Sequence, residues 1–460
     1  MNLTSIVSQA VRFMEYFFHV HLLVALVTYI VVAALLRKHL RHLSYRSVSH
    51  EKVPFEKFQA PKISIIVPAH NEADGIIESV NAALSTDYPN YEIIVVDDGS
   101  TDDTLKMLKE RYDLKAVSLE PQNKLSKSEP ITSFQSQSYP HLMVVHKTHT
   151  GKADSLNVGI EYSSGIYICC IDSDSIITPD ALRKLVIKFI NEPTLVALGG
   201  AIAPSNEIVI RNGNVERKRT AQSIFVGVQI IEYLRSFTSW RTGWSYLDGL
   251  LIIGGALTVF TKDALIKVGG YRSEAYCEDL EIILSLHEYH LQHNLPYKIW
   301  TIPEVICWTR VPKNKVGLKK QRIRWMWGAL QSLSWHKHLM FNKKSALIGW
   351  FSFPHIVFIE AFAPVIELLG LLSLWLCIAL GLLSYSSFLI YGLLIYAITG
   401  FYSWYAIATN DNYISSFNSL KQILRLGAIG LIEPIGYRQR DAYWRMIGWW
   451  RWLRGKPINW

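Results

Sequence analysis

The chain has 460 residues, half of them hydrophobic and 12% aromatic, with a formal charge of +9 and a mean hydropathy of +0.16. That length admits one large domain plus membrane spans, or two modest domains, and the positive hydropathy is high for a soluble protein. Basic residues collect beside apolar segments instead of forming one long stripe, which suits an anionic membrane face and anionic ligands and argues against a nucleic-acid partner.

In chain order, the first feature is "FFHVHLLVALVTYIVVAALL" at Phe17–Leu36, about one bilayer thickness of mostly apolar helix. Arg37, Lys38, Arg41 and Arg46 follow it, which places its C-terminal end in the cytoplasm. A cleaved signal peptide would have a shorter apolar run and its basic cluster on the other side, so residues 1–45 are expected to be an uncleaved transmembrane anchor.

Residues 46–345 are globular in composition and are expected to form a cytoplasmic α/β domain inserted between transmembrane helices. Ile63–Pro68, Glu92–Asp97, Leu142–His146 and Ile166–Asp172 read as short buried strands. Helical patterns lie between them at Ala73–Ser85, Asp103–Arg111 and Ala153–Ser163. This alternation predicts a mostly parallel sheet with helices on both faces, which binds ligands beyond the carboxyl ends of its strands. Those ends are "PAHNE" (Pro68–Glu72), "VVDDGSTDDT" (Val95–Thr104), "HTGKADSLNVG" (His149–Gly159) and "IDSDS" (Ile171–Ser175). Every strand delivers acids, amides or a lysine to one edge, although Asp102 or Asp103 could serve only as a turn or helix cap.

The polar stretch Glu120–Tyr139 shows no periodicity and is expected to be a surface loop without chemistry. Ile224–Phe237 reads as an amphipathic helix, either near the bilayer or packed in the core. In "LIIGGALTVFTKDAL" (Leu251–Leu265), Gly254 and Gly255 permit close backbone approach. The cysteines (Cys169, Cys170, Cys277, Cys307, Cys377) have neither metal spacing nor a disulfide framework, which fits a reducing compartment. A helix over Val316–His336 places Gln321, Arg324, Trp325 and Gly328 on one face, and Ile323, Trp327 and Leu330 on another. The second face would rest against protein or lipid.

Residues 346–437 are expected to hold C-terminal transmembrane helices, divided as Ala346–Ile366, Leu368–Leu383, Phe388–Ala408 and a weaker Gln422–Tyr437. Pro354, Pro364, Glu360 and Glu367 interrupt this block, and such acids usually face protein or water. Residues 438–460 carry Arg438, Arg440, Arg445, Arg451, Arg454 and Lys456 and are expected to be a basic cytoplasmic tail, which requires an even number of spans in the block.

The set "DDGS" (Asp97–Ser100), "DSD" (Asp172–Asp174), "CED" (Cys277–Asp279) and "QRIRW" (Gln321–Trp325) resembles the family 2 inverting glycosyltransferases of the D, D, D, QxxRW type. That group includes the membrane synthases of cellulose, hyaluronan and poly-N-acetylglucosamine, the last being the most similar in compactness, and the ceramide glucosyltransferases. The resemblance covers roughly residues 60 to 330, and it implies a GT-A-like nucleotide-sugar-binding domain in an integral protein of the plasma (inner) membrane. It also implies a UDP-sugar donor and a divalent metal, Mg or Mn, held by Asp174 with Asp172 to stabilise the diphosphate leaving group. By the same pattern Glu72, Asp97, Asp98, Lys152, Asp172, Gln321 and Arg324 contact the UDP-sugar, with Asp98 at the uracil and Lys152 along the diphosphate. Gly254, Gly255 and Trp325 lie at the acceptor, and Asp279 is the base that deprotonates the acceptor hydroxyl. Cysteine stands at position 277 where the family usually has threonine, a change that leaves the base intact.

The leading expectation is an enzyme that builds a β-linked polysaccharide and passes it through its own helices, with Glu360 and Glu367 lining the path. The acceptor is a growing glycan or a lipid, the bilayer is a partner, and an accessory membrane subunit is compatible with this reading. Single transfer to a lipid would use the same motifs, and an inactive membrane scaffold would tolerate loss of an acid, yet all the expected acids are present. A dinucleotide-binding oxidoreductase would need GxGxxG after the first strand, and none is there.

Overall fold

The computed structural model describes residues 60–121, 124–206, 208–211, 213–218, 223–381, 385–408 and 420–456, with isolated positions before residue 35. About half of the expected anchor Phe17–Leu36, and all of its basic flank, lie outside the described residues.

The strands are β1 (Ile63–Ala69), β2 (Tyr91–Asp98), β3 (Leu114–Val117), β4 (Pro130–Ser136), β5 (Leu142–Lys147), β6 (Tyr167–Ile171), β7 (Ile176–Ile177), β8 (Leu195–Pro204), β9 (Ile208–Arg211), β10 (Asn214–Lys218), β11 (Leu257–Thr261) and β12 (Lys298–Thr309). Among the described residues, ten of them form one sheet in the order β3-β4-β5-β2-β1-β6-β11-β8-β12-β7, and β9 and β10 form a separate hairpin. Strands β5, β2, β1 and β6 run parallel, as do β8 and β12, and the other pairs are antiparallel. The sheet is therefore mixed, and the expectation of a mostly parallel one is corrected. The four strands of the expected alternation are parallel to one another, but antiparallel strands flank them on both sides. Strand β11, inside the stretch that reads as a glycine turn, enters antiparallel between β6 and β8.

The helices are α1 (Ile76–Leu84), α2 (Thr104–Tyr112), α3 (Lys152–Tyr162), α4 (Ala181–Asn191), α5 (Ile224–Tyr233), α6 (Arg241–Tyr246), α7 (Lys262–Lys267), α8 (Glu278–Gln292) and α9 (Lys315–Trp335). Strand β1 is buried along its whole length because both faces are covered. Its residues Ile63, Ile65 and Val67 pack with Ile76 and Val80 of α1 and Leu182 and Leu185 of α4. Ile66, on the opposite face, packs with Leu156 and Ile160 of α3 and Ile282 and Ile283 of α8.

The expected loop Glu120–Tyr139 is corrected, since it contains β4 and is tied to α3. Lys127 N donates to Asp154 Oδ1 at 2.8 Å, Ser128 Oγ donates to Asp154 Oδ2, and Ser126 Oγ donates to Glu161 Oε2 at 3.0 Å. Helix α5 runs on as a π-helical segment, Leu234–Trp240, into α6, and most of α5 is buried in the core.

Beyond α9, two π-helical segments, Ile348–Ser352 and Ile356–Ala361, flank a short turn of helix. They lead into α10 (Ala363–Ala379), α11 (Tyr385–Ala408), α12 (Leu420–Ile432) and α13 (Tyr437–Leu453). The expected break after Ile366 falls earlier, because Pro364 fits the first turn of α10, where no amide donor is needed. No single helix among the described residues is long and apolar enough to cross a membrane. The pair Ile348–Ala361 and Ala363–Ala379, bent by 44°, meets that test together. Within the expected basic tail, α13 packs along α9, where a Cβ on Gly448 would lie 2.9 Å from Ile323 O and Met326 Cβ.

Candidate active site

The parallel strands end at one edge, and hydrogen bonds lock their loops together. Asn71, in the left-handed region at φ 55°, accepts through Oδ1 from Thr101 N at 2.8 Å and Asp102 N at 3.2 Å. Glu72 N donates to Thr104 Oγ1 at 2.8 Å. Asp102 accepts from Thr104 N at 2.9 Å and Ala73 N at 3.2 Å, so it caps α2 and ties the first two loops.

At the end of β2, Asp98 is buried and its carboxylate is fully engaged. Oδ1 accepts from Lys147 Nζ and from Thr150 N at 2.9 Å, and Oδ2 accepts from Gly151 N at 2.8 Å. Burial opposes ionisation, but Lys147 and these amides hold the carboxyl below its ordinary range. Asp98 thus fixes the loop that launches Lys152. Asp97 is buried beside it, with Oδ2 at 2.6 Å from His146 Nδ1. The rings of His70 and His149 stack at 4.0 Å above the same edge, each with Nδ1 against Asp98.

Lys152 opens α3 and joins two motifs far apart in sequence. Its Nζ lies 2.5 Å from Asp172 Oδ1 and 2.5 Å from Glu278 Oε1. Burial alone would draw this ammonium down; the two carboxylates outweigh it and hold the group above its ordinary range. Glu278 is correspondingly held low by Lys152 against the pull of burial. Asp174, two residues beyond Asp172, is pushed up to about 7 by burial and by the charges of Asp172 and Glu72. Glu72 is itself raised, by burial first and then by Asp172, and it bonds to Ser173. Three acids thus converge with too few cations around them.

Asp279 stands in the first turn of α8. Oδ2 accepts from Gly255 N at 3.2 Å, Oδ1 accepts from Leu280 N at 2.9 Å, and the Cys277 thiol donates to Oδ1 at 3.1 Å. Burial and neighbouring Glu278 raise this carboxyl above the ordinary aspartate range. A Cβ on Gly255 would lie 3.2 Å from Lys152 Nζ and 3.4 Å from Glu278 Oε1, so the glycine widens this wall of the site. Gly254 instead packs against Ile202 and Phe237, away from the carboxylates.

Helix α9 brings the QxxRW residues alongside. Gln321, Arg324 and Trp325 are half-buried on it, and the Arg324 guanidinium acts on Glu278 and Cys277. The Trp325 ring is covered in this structure by Arg322, 4.9 Å from its centroid. Arg322 pairs with Glu232 Oε2 at 2.5 Å and Asp441 Oδ1 at 3.3 Å, joining α9 to α5 and α13. Gly328 lets the helix lie directly on the segment before the base, since a Cβ there would be 2.8 Å from both Cys277 N and Cys277 Cβ. Gln331 completes the contact, accepting from Tyr276 N at 3.1 Å and donating to Glu274 O at 3.0 Å.

Several residues of this edge carry no signal that the sequence alone reveals. Lys147 is fully buried between Asp98 and Asp154, and its only mark is a lysine ending an otherwise apolar strand. Arg241 lies over the Phe237 ring at 3.8 Å, with Asp279 the foremost charge acting on it, and no motif marks it. Glu278, the middle residue of the CED motif, is the partner of Lys152. Glu360 and Glu367 are engaged within the helical block: Trp240 Nε1 donates to Glu360 Oε1 at 3.1 Å, and Arg438 Nη2 to Glu367 Oε1 at 2.9 Å.

A large mixed sheet covered on both faces, with acids and a lysine gathered at the carboxyl edge of its parallel strands, is a GT-A-like α/β fold. Residues 64–231 match the family described as Glycosyl transferase family 2, and residues 167–409, more than half of the chain, match Glycosyl transferase family group 2, to which the chain belongs. The poly-beta-1,6-N-acetyl-D-glucosamine synthase of Staphylococcus epidermidis is 29% identical over 284 residues, 61% of this chain and 58% of that protein. The enzyme of the same name from Staphylococcus aureus is 27% identical over 271 residues, 59% of this chain and 55% of that protein. The matched region thus spans less than two thirds of these relatives. Among solved structures, a mannosyltransferase from Pyrobaculum calidifontis in complex with GDP-Man and Mn2+ shares the fold, with a TM-score of 0.53 and 18% identity, covering 93% of this chain and 99% of that one.

Proposed function

We propose that the protein is an inverting β-glycosyltransferase that uses UDP-N-acetylglucosamine to extend a polysaccharide. The observation that carries this reading is the bridge of Lys152 to Asp172 and Glu278, which draws the second and third acidic motifs around one cation. A single lysine there can travel with a diphosphate, while Asp279, the next residue after Glu278, faces the acceptor side. The relatives named poly-beta-1,6-N-acetyl-D-glucosamine synthase support the choice of sugar.

Asp172 and Asp174 would hold a divalent metal, and hard carboxylate oxygens suit Mg or Mn. The fit rests on Asp174, whose carboxyl sits near neutrality because acids crowd it without enough compensating charge. When bound, the metal would supply charge stabilisation to the departing diphosphate. The residues of the chain do the rest. Arg324 and Lys152 offer donors to the phosphates, and Gly255 leaves room for the acceptor beside Asp279. Asp279, held above the ordinary aspartate range by burial and Glu278, accepts the acceptor hydroxyl proton through the carboxylate that Gly255 N and Cys277 orient. With one base and no enzyme nucleophile, an α-linked donor yields a β-linkage.

We further propose an integral membrane protein with its catalytic domain on the cytoplasmic side. Exposed apolar side chains along α10 and α11, among them Leu372, Trp375, Leu389 and Leu393, support this, as does the bent pair of apolar helices.

The test is UDP release by the purified chain supplied with UDP-N-acetylglucosamine and Mn²⁺ or Mg²⁺, with the products sized. Asp279→Asn should lower kcat by about 10²- to 10⁴-fold while sparing UDP binding. An Asn variant with undiminished turnover removes Asp279 as the base, and one sugar per acceptor removes polymer synthesis.

A further inference from the structure

A second cluster of ligating side chains lies where the end of α9 meets the middle of α8. Glu288 is nine residues beyond Asp279, about 14 Å along α8 at its rise of about 1.5 Å per residue. Its Oε2 lies 2.7 Å from His336 Nδ1, and its Oε1 lies 3.0 Å from His338 Nε2. One ligand atom from each residue falls within 4.8 Å of the others. None of the three belongs to the site described above.

We propose that Glu288, His336 and His338 bind a divalent transition metal of the zinc class, which staples the C-terminal end of α9 to α8. Two imidazoles and one carboxylate are a ligand set suited to such ions, and they leave a coordination position open toward solvent at the half-exposed His338.

The second observation is the far side of His336. This imidazole is 1% exposed, and its other nitrogen, Nε2, lies 3.3 Å from Glu281 Oε1. A carboxylate behind the non-ligating nitrogen fixes the tautomer and aims the ring, as outer partners of metal-bound histidines do. Glu281 is also 1% exposed, and its Oε2 has no hydrogen-bond partner among the described residues. Its Oε1 is shared by Arg272 Nε at 3.4 Å and Ser285 Oγ at 2.9 Å. Two imidazoles and a carboxylate thus meet at one point, with a second, buried carboxylate behind the inner ring.

The placement gives the ion a structural consequence. Helix α8 begins at Glu278 and Asp279, and α9 carries Arg324 and touches Cys277 through Gly328. A staple farther along both helices would hold these groups at fixed separation.

The experiment is a Co²⁺ titration of the purified full-length chain in an Asp172→Asn, Asp174→Asn background, so that the strand-edge acids do not contribute. Visible d–d absorption saturating at one equivalent, and displaced by Zn²⁺, is expected. Glu288→Gln and His338→Ala alter the outer, solvent-reached ligands, and each should weaken Co²⁺ by at least about tenfold, the loss that a missing outer partner alone can produce. Far-ultraviolet circular dichroism matching that of the parent shows that the variants fold. Absence of the bands in the parent, or undiminished affinity in both folded variants, overturns the proposal.

Discussion

Gly328→Ala is the sharpest test of how the QxxRW helix is positioned. In an exposed helix this change stabilises by about 1 kcal/mol, because alanine is the better helix former. Here the new Cβ would lie 2.8 Å from Cys277 N and 2.8 Å from Cys277 Cβ, with Tyr276 C at 2.9 Å. Ordinary contact begins at 3.4 Å, and backbone cannot swing aside, so α9 must withdraw by at least about 0.6 Å. Overpacking of this kind costs about 1–3 kcal/mol, which cancels or exceeds the propensity gain. The catalytic effect is the larger one. The withdrawal separates Arg324 from Glu278 and Cys277, and a displacement of about 1 Å can cost about 100-fold, so a loss of about 10- to 100-fold in kcat is expected. Gly317, on the same helix, is the control. A Cβ there would meet Pro312 Cβ at 3.4 Å and Asn314 Oδ1 at 3.5 Å, so Gly317→Ala should keep full activity and raise the thermal midpoint. Initial rates of UDP release at saturating UDP-N-acetylglucosamine, with melting curves for both variants, decide the matter. If Gly328→Ala behaves like Gly317→Ala in both measurements, the close approach of α9 to Cys277 is wrong.

Lys147→Met should destabilise by about 3–5 kcal/mol in denaturant unfolding, since it strands the buried Asp98 and Asp154 carboxylates, and adding Asp98→Asn should restore part of that loss. Cys277→Ala should move the acid limb of the kcat/KM profile to higher pH: the thiol hydrogen bond favours the ionised form of Asp279, so losing it raises this carboxyl further. Cys277→Thr, which keeps a donor, should leave the limb in place, and identical shifts for both variants would exclude the thiol from any role in tuning the base. Chelation of divalent ions should abolish UDP release, with recovery on adding Mn²⁺ or Mg²⁺. The apparent metal affinity should rise about tenfold per pH unit up to about pH 7 and level off above it, because Asp174 must lose its proton to ligate.

The alternation of Ile63–Pro68, Glu92–Asp97, Leu142–His146 and Ile166–Asp172 with helical patterns is enough to locate the parallel half of the sheet and its chemical edge. Each of those strands is covered on both faces and reads as a near-continuous apolar run. The antiparallel half is not legible for two reasons. Strand β4 is mostly polar in sequence even though Ser133 and Ser136 are buried, so Pro130–Ser136 looks like a loop, and β11 follows a Gly-Gly pair that reads as a turn. Site residues show where spacing carries them, as with Asp172 and Asp174. They do not show where only the tertiary structure supplies the partner. Lys147 is one residue from a loop and looks solvent-bound, yet Asp98 and Asp154 enclose it. Glu278 resembles a helix-start charge until α3 brings Lys152 against it.

The two faces of α9 explain why the helical block after it cannot be separated from the catalytic edge. Its first face meets Cys277 through Gly328 and Tyr276 through Gln331. The second face, left open between protein and lipid by the helical phase alone, meets protein: Ile323 and Trp327 cluster with Trp444 of α13. Arg322 then reaches Glu232 on α5 and Asp441 on α13, with Tyr437 Oη donating to the same Glu232 at 3.1 Å. These acids and this guanidinium are largely buried, so removing one partner leaves an uncompensated charge, a cost of about 3–5 kcal/mol where such pairs are broken. A movement of α13 would therefore carry α9 with it, and α9 cannot shift without displacing the segment that leads into Asp279. Residues 437–453 act in this way as a strap on the QxxRW helix, and deleting them should impair the site even though none of them reaches it.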